Sequence, residues 1–226
     1  MTNPSLEPVP FQTNVNINEL RARFLRALSN AGVQSSGAAI FDELLARYGE
    51  PHRRYHTLVH VDACLGLLDW YRGSAQHPER IELALWFHDA VYDPRANGNE
   101  RQSAELARAR LGSLGVPLGA LSEIEAHVLA TQSHQAVDPD AELLLDLDLS
   151  ILGARSHAYA RFEREVREEY AHVPDAQFRA GRSAILRGFL ARPEIYRTRT
   201  LREEFEARAR KNLEQRLLEL TSRAHA

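Results

Sequence analysis

The chain has 226 residues, 44% hydrophobic and 26% charged, with a net charge of −3 at pH 7. That composition is globular, and the charge leaves no footprint for a nucleic-acid polymer or an anionic membrane. There is no apolar run long enough to span a bilayer and no basic-then-apolar leader, and the single cysteine, Cys64, can form no internal disulfide, so we expect a cytoplasmic protein.

Of the 28 basic residues 27 are arginine, with Lys211 the sole lysine. A coding bias accounts for this, so no arginine is informative by type alone. Residues 1–16 are polar and rich in Pro and Asn, and read as an extended arm. From residue 17 to 226 we expect a single helical domain, because almost every segment repeats its apolar residues at the helical period. Leu20, Phe24 and Leu28 make a stripe that ends at Gly32. Ile40, Phe41, Leu44, Leu45 and Tyr48 make a second, opened by Ser36 as N-cap and closed by Gly49. A third helix is predicted over 55–72, and a fourth, with Pro78 in its first turn, carries Ile81, Leu85 and His88. Asn99 suits the cap of a fifth helix, to about residue 111. Further helices are predicted over 121–131, 141–152, 157–171, 175–190 and 200–221. No alternating strand pairs are visible. The expectation is an all-α, irregular helical bundle of about eight to ten helices.

Three segments place His or Asp where apolar residues would be expected. In RRYHTLVHVDACLGLLDWY, His56 and His60 are four apart and would share one helix face. In LALWFHDAVYDP, His88 and Asp89 follow Leu85, Trp86 and Phe87. In LLLDLDLSILG, Asp146 and Asp148 are embedded among leucines. A buried carboxylate must be neutralised, paired or bound to a metal, and neither Asp89 nor Asp148 has a basic residue in its own apolar stretch. Two imidazoles and two carboxylates form an N/O ligand set that suits a divalent ion (Mn, Mg, Zn, Fe, Co or Ni) and leaves positions open for water. An isolated His-Asp pair is weak as a signal. The ordered series His, His-Asp, Asp on separate apolar helices is what points to a metal centre.

The series His60, His88-Asp89, Asp148 resembles the H…HD…D signature of the HD superfamily of metal-dependent phosphohydrolases. The blocks RRYHTLVHV, ALWFHDAVYD, NERQSAELA, LATQSH and LDLDLSILG are similar to an uncharacterised bacterial branch of it, as are EYAHVP, GRSAILRGFL, EIY and ARKNLEQRL. The resemblance spans about residues 18–220. It implies an HD-type helical bundle, a divalent metal held by His60, His88, Asp89 and Asp148, and attack by water on the metal at a phosphomonoester or phosphodiester of a nucleotide-like small molecule. YHTLVHVDA further resembles a segment of cyclic nucleotide phosphodiesterases, which implies His60 as ligand and His56 as general acid, with His56 and Asp89 the catalytic pair. HDAVYDPRANGNE also resembles the phosphodiesterase segment that follows its HD pair, and departs from it at Tyr92, where those enzymes have histidine.

The resemblance favours Asp148 over Asp146 as ligand, and His134, in ATQSH, over His127 for a second metal. We expect His127 to be a partly exposed helix residue. Asp93 and Glu100 could orient a ligand or water, or be a turn residue and a first-turn acid. Arg53, Arg54, Tyr55, Tyr170 and Arg182 could reach a phosphate or base, but with so many arginines a structural role is preferred. Two alternatives stand beside hydrolysis: a dinuclear-iron oxygenase of the same superfamily, and a non-catalytic nucleotide-sensing module. The apolar stripe of the last helix could serve the core or a homodimer.

Overall fold

The computed structural model describes residues 15–222, so the expected arm lies almost wholly outside the described residues. Among these, ten α-helices and two short 3-10 segments form an all-α structure with no strand. No described helix is long and apolar enough to cross a membrane. The chain divides into two compact units that meet in sequence at Leu147 and Asp148.

The first unit holds α1 (Ile17–Asn30), α2 (Ala38–Tyr48), α3 (Leu58–Tyr71), α4 (Pro78–Phe87), α5 (Asn99–Ser113), α6 (Leu118–Ser133) and all of α7 (Pro139–Asp148) but its last residue, Asp148. Its centre is α4. Every residue from Ile81 to Phe87 is buried, because α1, α3, α5 and α6 all pack on this helix. A helix apolar on all sides is stable only inside such a jacket. Trp86 meets Phe24 and Phe41 edge-on, at centroid distances of 5.4 and 5.8 Å. The one acid in this stretch, Glu82, is paired with Arg23 at 2.9 Å and Arg72 at 3.1 Å. Arg23 also reaches Asp69 on α3, so one ionic network joins α1, α3 and α4. The burial of α4 is what carries His88, its C-cap, and Asp89 into the interior.

The second unit contains the 3-10 segment Leu149–Gly153, α8 (Ser156–Glu169), α9 (Asp175–Leu190) and α10 (Arg199–Ser222). α10 packs on α9 and on 149–153. The Tyr196 hydroxyl donates to the Leu149 carbonyl at 2.9 Å. Glu163, on α8, is buried and accepts hydrogen bonds from Tyr159, Arg182 and Arg216.

Several boundaries differ from the sequence expectation for identifiable reasons. The third helix begins at Leu58, not residue 55, because Thr57 caps it in extended geometry with its hydroxyl accepting from Val59 N–H. Gly37 rather than Ser36 caps α2, and Gly98 rather than Asn99 caps α5. Asn99 instead exchanges two hydrogen bonds with the Asp93 backbone. The helix expected over 141–152 tightens after Asp148 into the 3-10 segment.

Candidate metal centre

The centre begins with His88. It is 1% exposed, and its Nδ1–H donates to the Leu85 carbonyl at 2.8 Å. A carbonyl can only accept, so Nδ1 carries a proton and Nε2 faces inward. That nitrogen stands 3.1 Å from Nε2 of His60, on α3. The other nitrogen of His60, Nδ1, is 3.0 Å from the Tyr55 hydroxyl. Asp89 Oδ2 completes a triangle, 3.1 Å from His88 Nε2 and 3.8 Å from His60 Nε2. Burial alone would push the Asp89 carboxyl up. The His88, His56 and His60 rings outweigh that and hold it well below the usual carboxylate range.

α7 supplies a further oxygen. Ligand atoms of His60, His88 and Asp148 all lie within 4.8 Å of one another. Asp146, two residues earlier, is 1% exposed, yet it is Asp148 that provides the clustered oxygen. Cys64 lies beside the cluster, with its thiol 3.8 Å from His60 Nδ1 and directed to the Leu147 carbonyl.

These residues fit a cation. Two ligand nitrogens each about 2.1 Å from an ion and at right angles to one another stand about 3.0 Å apart. The His60–His88 separation matches that spacing. Lone pairs and a carboxylate crowded at this distance repel unless a proton or a metal lies between them.

The structure groups His60, His88 and Asp148, and sets Asp89 against the same two histidines, but does not place every expected residue there. His56 precedes the Thr57 cap, so it does not share a helix face with His60. Its ring is nonetheless 6.3 Å from that of His60 and stacks on Tyr92 at 4.2 Å. Asp93 is exposed in a turn, accepting from Arg95 N–H, and Glu100 sits in the first turn of α5. His134 is the left-handed C-cap of α6. None of these three is in the cluster of ligand atoms. The expectation of a partly exposed His127 is corrected: it is 1% exposed, with Nε2–H donating to the Asp138 carboxylate at 3.0 Å. Sequence reading missed this pair because its two members lie on either side of a helix end, with no periodicity to link them.

The contribution of Arg53 was also hidden. It is buried and donates to the carbonyls of His56, Asp89 and Ala90. Nothing in the string RRYH distinguishes that arginine from its exposed neighbour Arg54.

The fold and this cluster define an all-helical protein with a buried His/Asp group able to hold a metal ion. Comparison with family models, with curated proteins and with solved structures finds no significant match to the chain.

Proposed function

We propose that the protein is a metal-dependent phosphohydrolase that cleaves a phosphomonoester or phosphodiester bond of a nucleotide-like small molecule. The observation that carries the reading is the meeting of His60 Nε2, His88 Nε2 and Asp89 Oδ2 in one triangle, with the His88 tautomer set by Leu85. His60, His88, Asp89 and Asp148 would hold the ion. When bound, a divalent ion polarises a phosphoryl oxygen and acidifies water.

The chain's own groups account for the rest. Tyr55 and the Leu85 carbonyl orient the two imidazoles. Asp89, kept ionised by its histidine neighbours, supplies negative charge to the centre. His56, whose ring stacks on Tyr92, would give a proton to the leaving oxygen. The H…HD…D resemblance adds the reaction class, which the cluster alone leaves open.

The test is the double variant His88→Ala/Asp89→Ala, purified without chelator. Metal content by elemental analysis and hydrolysis of nucleotide mono-, di- and cyclic phosphates with added Mn²⁺ should both be lost. A variant that keeps its metal and its turnover ends the proposal.

A further inference from the structure

We infer that Arg53 is a positioning residue for the candidate centre, its guanidinium fixing the His88–Asp89 turn against the segment that carries His56 and leads into α3. This rests on the metal-centre reading above. The side chain is fully buried, and its fork is spent on backbone. One terminal nitrogen, Nη1, donates to the His56 carbonyl at 3.0 Å and to the Asp89 carbonyl at 2.7 Å. The other, Nη2, donates to the Ala90 carbonyl at 3.2 Å. Nε donates to Glu50 at 3.0 Å, which supplies the counter-charge at the surface. The cation lies over two rings, 5.2 Å from the Tyr48 centroid and 5.4 Å from that of Tyr92. His56 stacks on the same Tyr92.

Three carbonyls from two segments 36 residues or so apart therefore share one planar donor. One segment bears His88 and Asp89. The other bears His56 and, four residues on in the first turn of α3, His60. Both histidines of the cluster hang from backbone that Arg53 joins, so the 3.1 Å separation of their Nε2 atoms depends on this clamp. With its donors committed in this way, Arg53 is a clamp rather than a phosphate ligand. A lysine cannot replace it, since a point-like ammonium does not reach three carbonyls as a rigid fork does.

The test compares wild type, Arg53→Lys and Glu50→Gln by calorimetric titration with Mn²⁺ and by the electron paramagnetic resonance of the bound ion. Wild type is expected to bind. Arg53→Lys, with its helical circular dichroism intact, is expected to bind about 10–100-fold more weakly, with an altered line shape, as supporting partners of a metal site typically do when changed. Glu50→Gln leaves the fork in place and removes only its exposed anchor, so a loss of about two- to fivefold with a measurable change in line shape is expected. Wild-type affinity and line shape in a folded Arg53→Lys protein overturn the inference and leave the metal centre standing. Should Arg53→Lys fail to fold, an unchanged affinity and line shape in Glu50→Gln overturns it. A wild-type protein that takes up no Mn²⁺ overturns both this and the metal reading.

Discussion

His60 and the Tyr55 hydroxyl stand 3.0 Å apart, on the side of the imidazole that faces away from His88. A hydroxyl can donate or accept, so this contact serves either tautomer of His60. A proton on His60 Nε2 would leave Tyr55 donating to Nδ1, whereas a cation bound at Nε2 would require the proton on Nδ1, with Tyr55 accepting it. The pair lets the metal-ready tautomer form without stranding a buried nitrogen.

Tyr55→Phe should therefore leave the fold largely intact, at a cost of about 1 kcal/mol for one lost hydrogen bond. Mn²⁺ affinity should fall about 10–100-fold, the usual effect of removing the outer partner of a ligating histidine. Titration of both proteins with Mn²⁺ at one pH checks this. Equal affinities would mean that the hydroxyl does not support the ligand.

Metal should also stabilise the folded protein. At a free Mn²⁺ concentration one hundred times Kd, ligand linkage adds about 2.7 kcal/mol and raises Tm. His60→Ala should abolish the rise while the metal-free protein still melts cooperatively. A rise that persists in His60→Ala would place the binding ion elsewhere.

Much of the fold was legible because its cause is periodic. The stripe Leu20, Phe24 and Leu28 is the buried face of α1, since an amphipathic helix writes its buried face into its spacing; α9 keeps its expected bounds, but Ile185 of its expected stripe is exposed and Leu186 is buried instead. The candidate ligands were legible for the complementary reason. His88 and Asp148 interrupt apolar runs whose burial must be compensated. What was not legible depends on side chains acting on distant backbone. Thr57 stops α3 short of His56 by a cap, and His127 finds Asp138 across a helix end. Arg53 reaches the carbonyls of Asp89 and Ala90 through contacts that leave no trace in residue type.

In the second unit, Glu163 offers a test independent of metal. Burial would push its carboxyl up, but the neighbouring Arg182, with help from Tyr159 and Arg216, outweighs that and holds it below the ordinary range. A carboxyl depressed in the folded state contributes stability above its unfolded value, about 4.3, and loses it as pH falls towards the lower folded value. Glu163→Gln should destabilise by about 3 kcal/mol near neutral pH, the low end for breaking a buried ion pair. The gap to wild type should narrow as pH drops below about 4.3, where the unfolded chain takes up a proton that the folded carboxyl resists. Urea denaturation of both proteins at pH 7 and pH 3.5 measures the difference, and a gap independent of pH would show that charge is not what Glu163 contributes.

Glycines in this unit make opposite predictions from one rule. A Cβ added at Gly153 would fall 2.7 Å from the Cβ of Phe205 and 2.8 Å from its carbonyl oxygen. Backbone cannot yield there, because Phe205 sits inside α10 and is buried. Gly153→Ala should cost about 1–3 kcal/mol, as overpacking does. At Gly181 and Gly188, inside α9, an added Cβ meets nothing within 4 Å. There alanine should stabilise by up to about 1 kcal/mol, through helix propensity and a less disordered unfolded chain. Thermal unfolding of the three single variants reads the sign directly. A neutral Gly153→Ala would mean that α10 and the 149–153 segment can separate by the width of a methyl group without penalty.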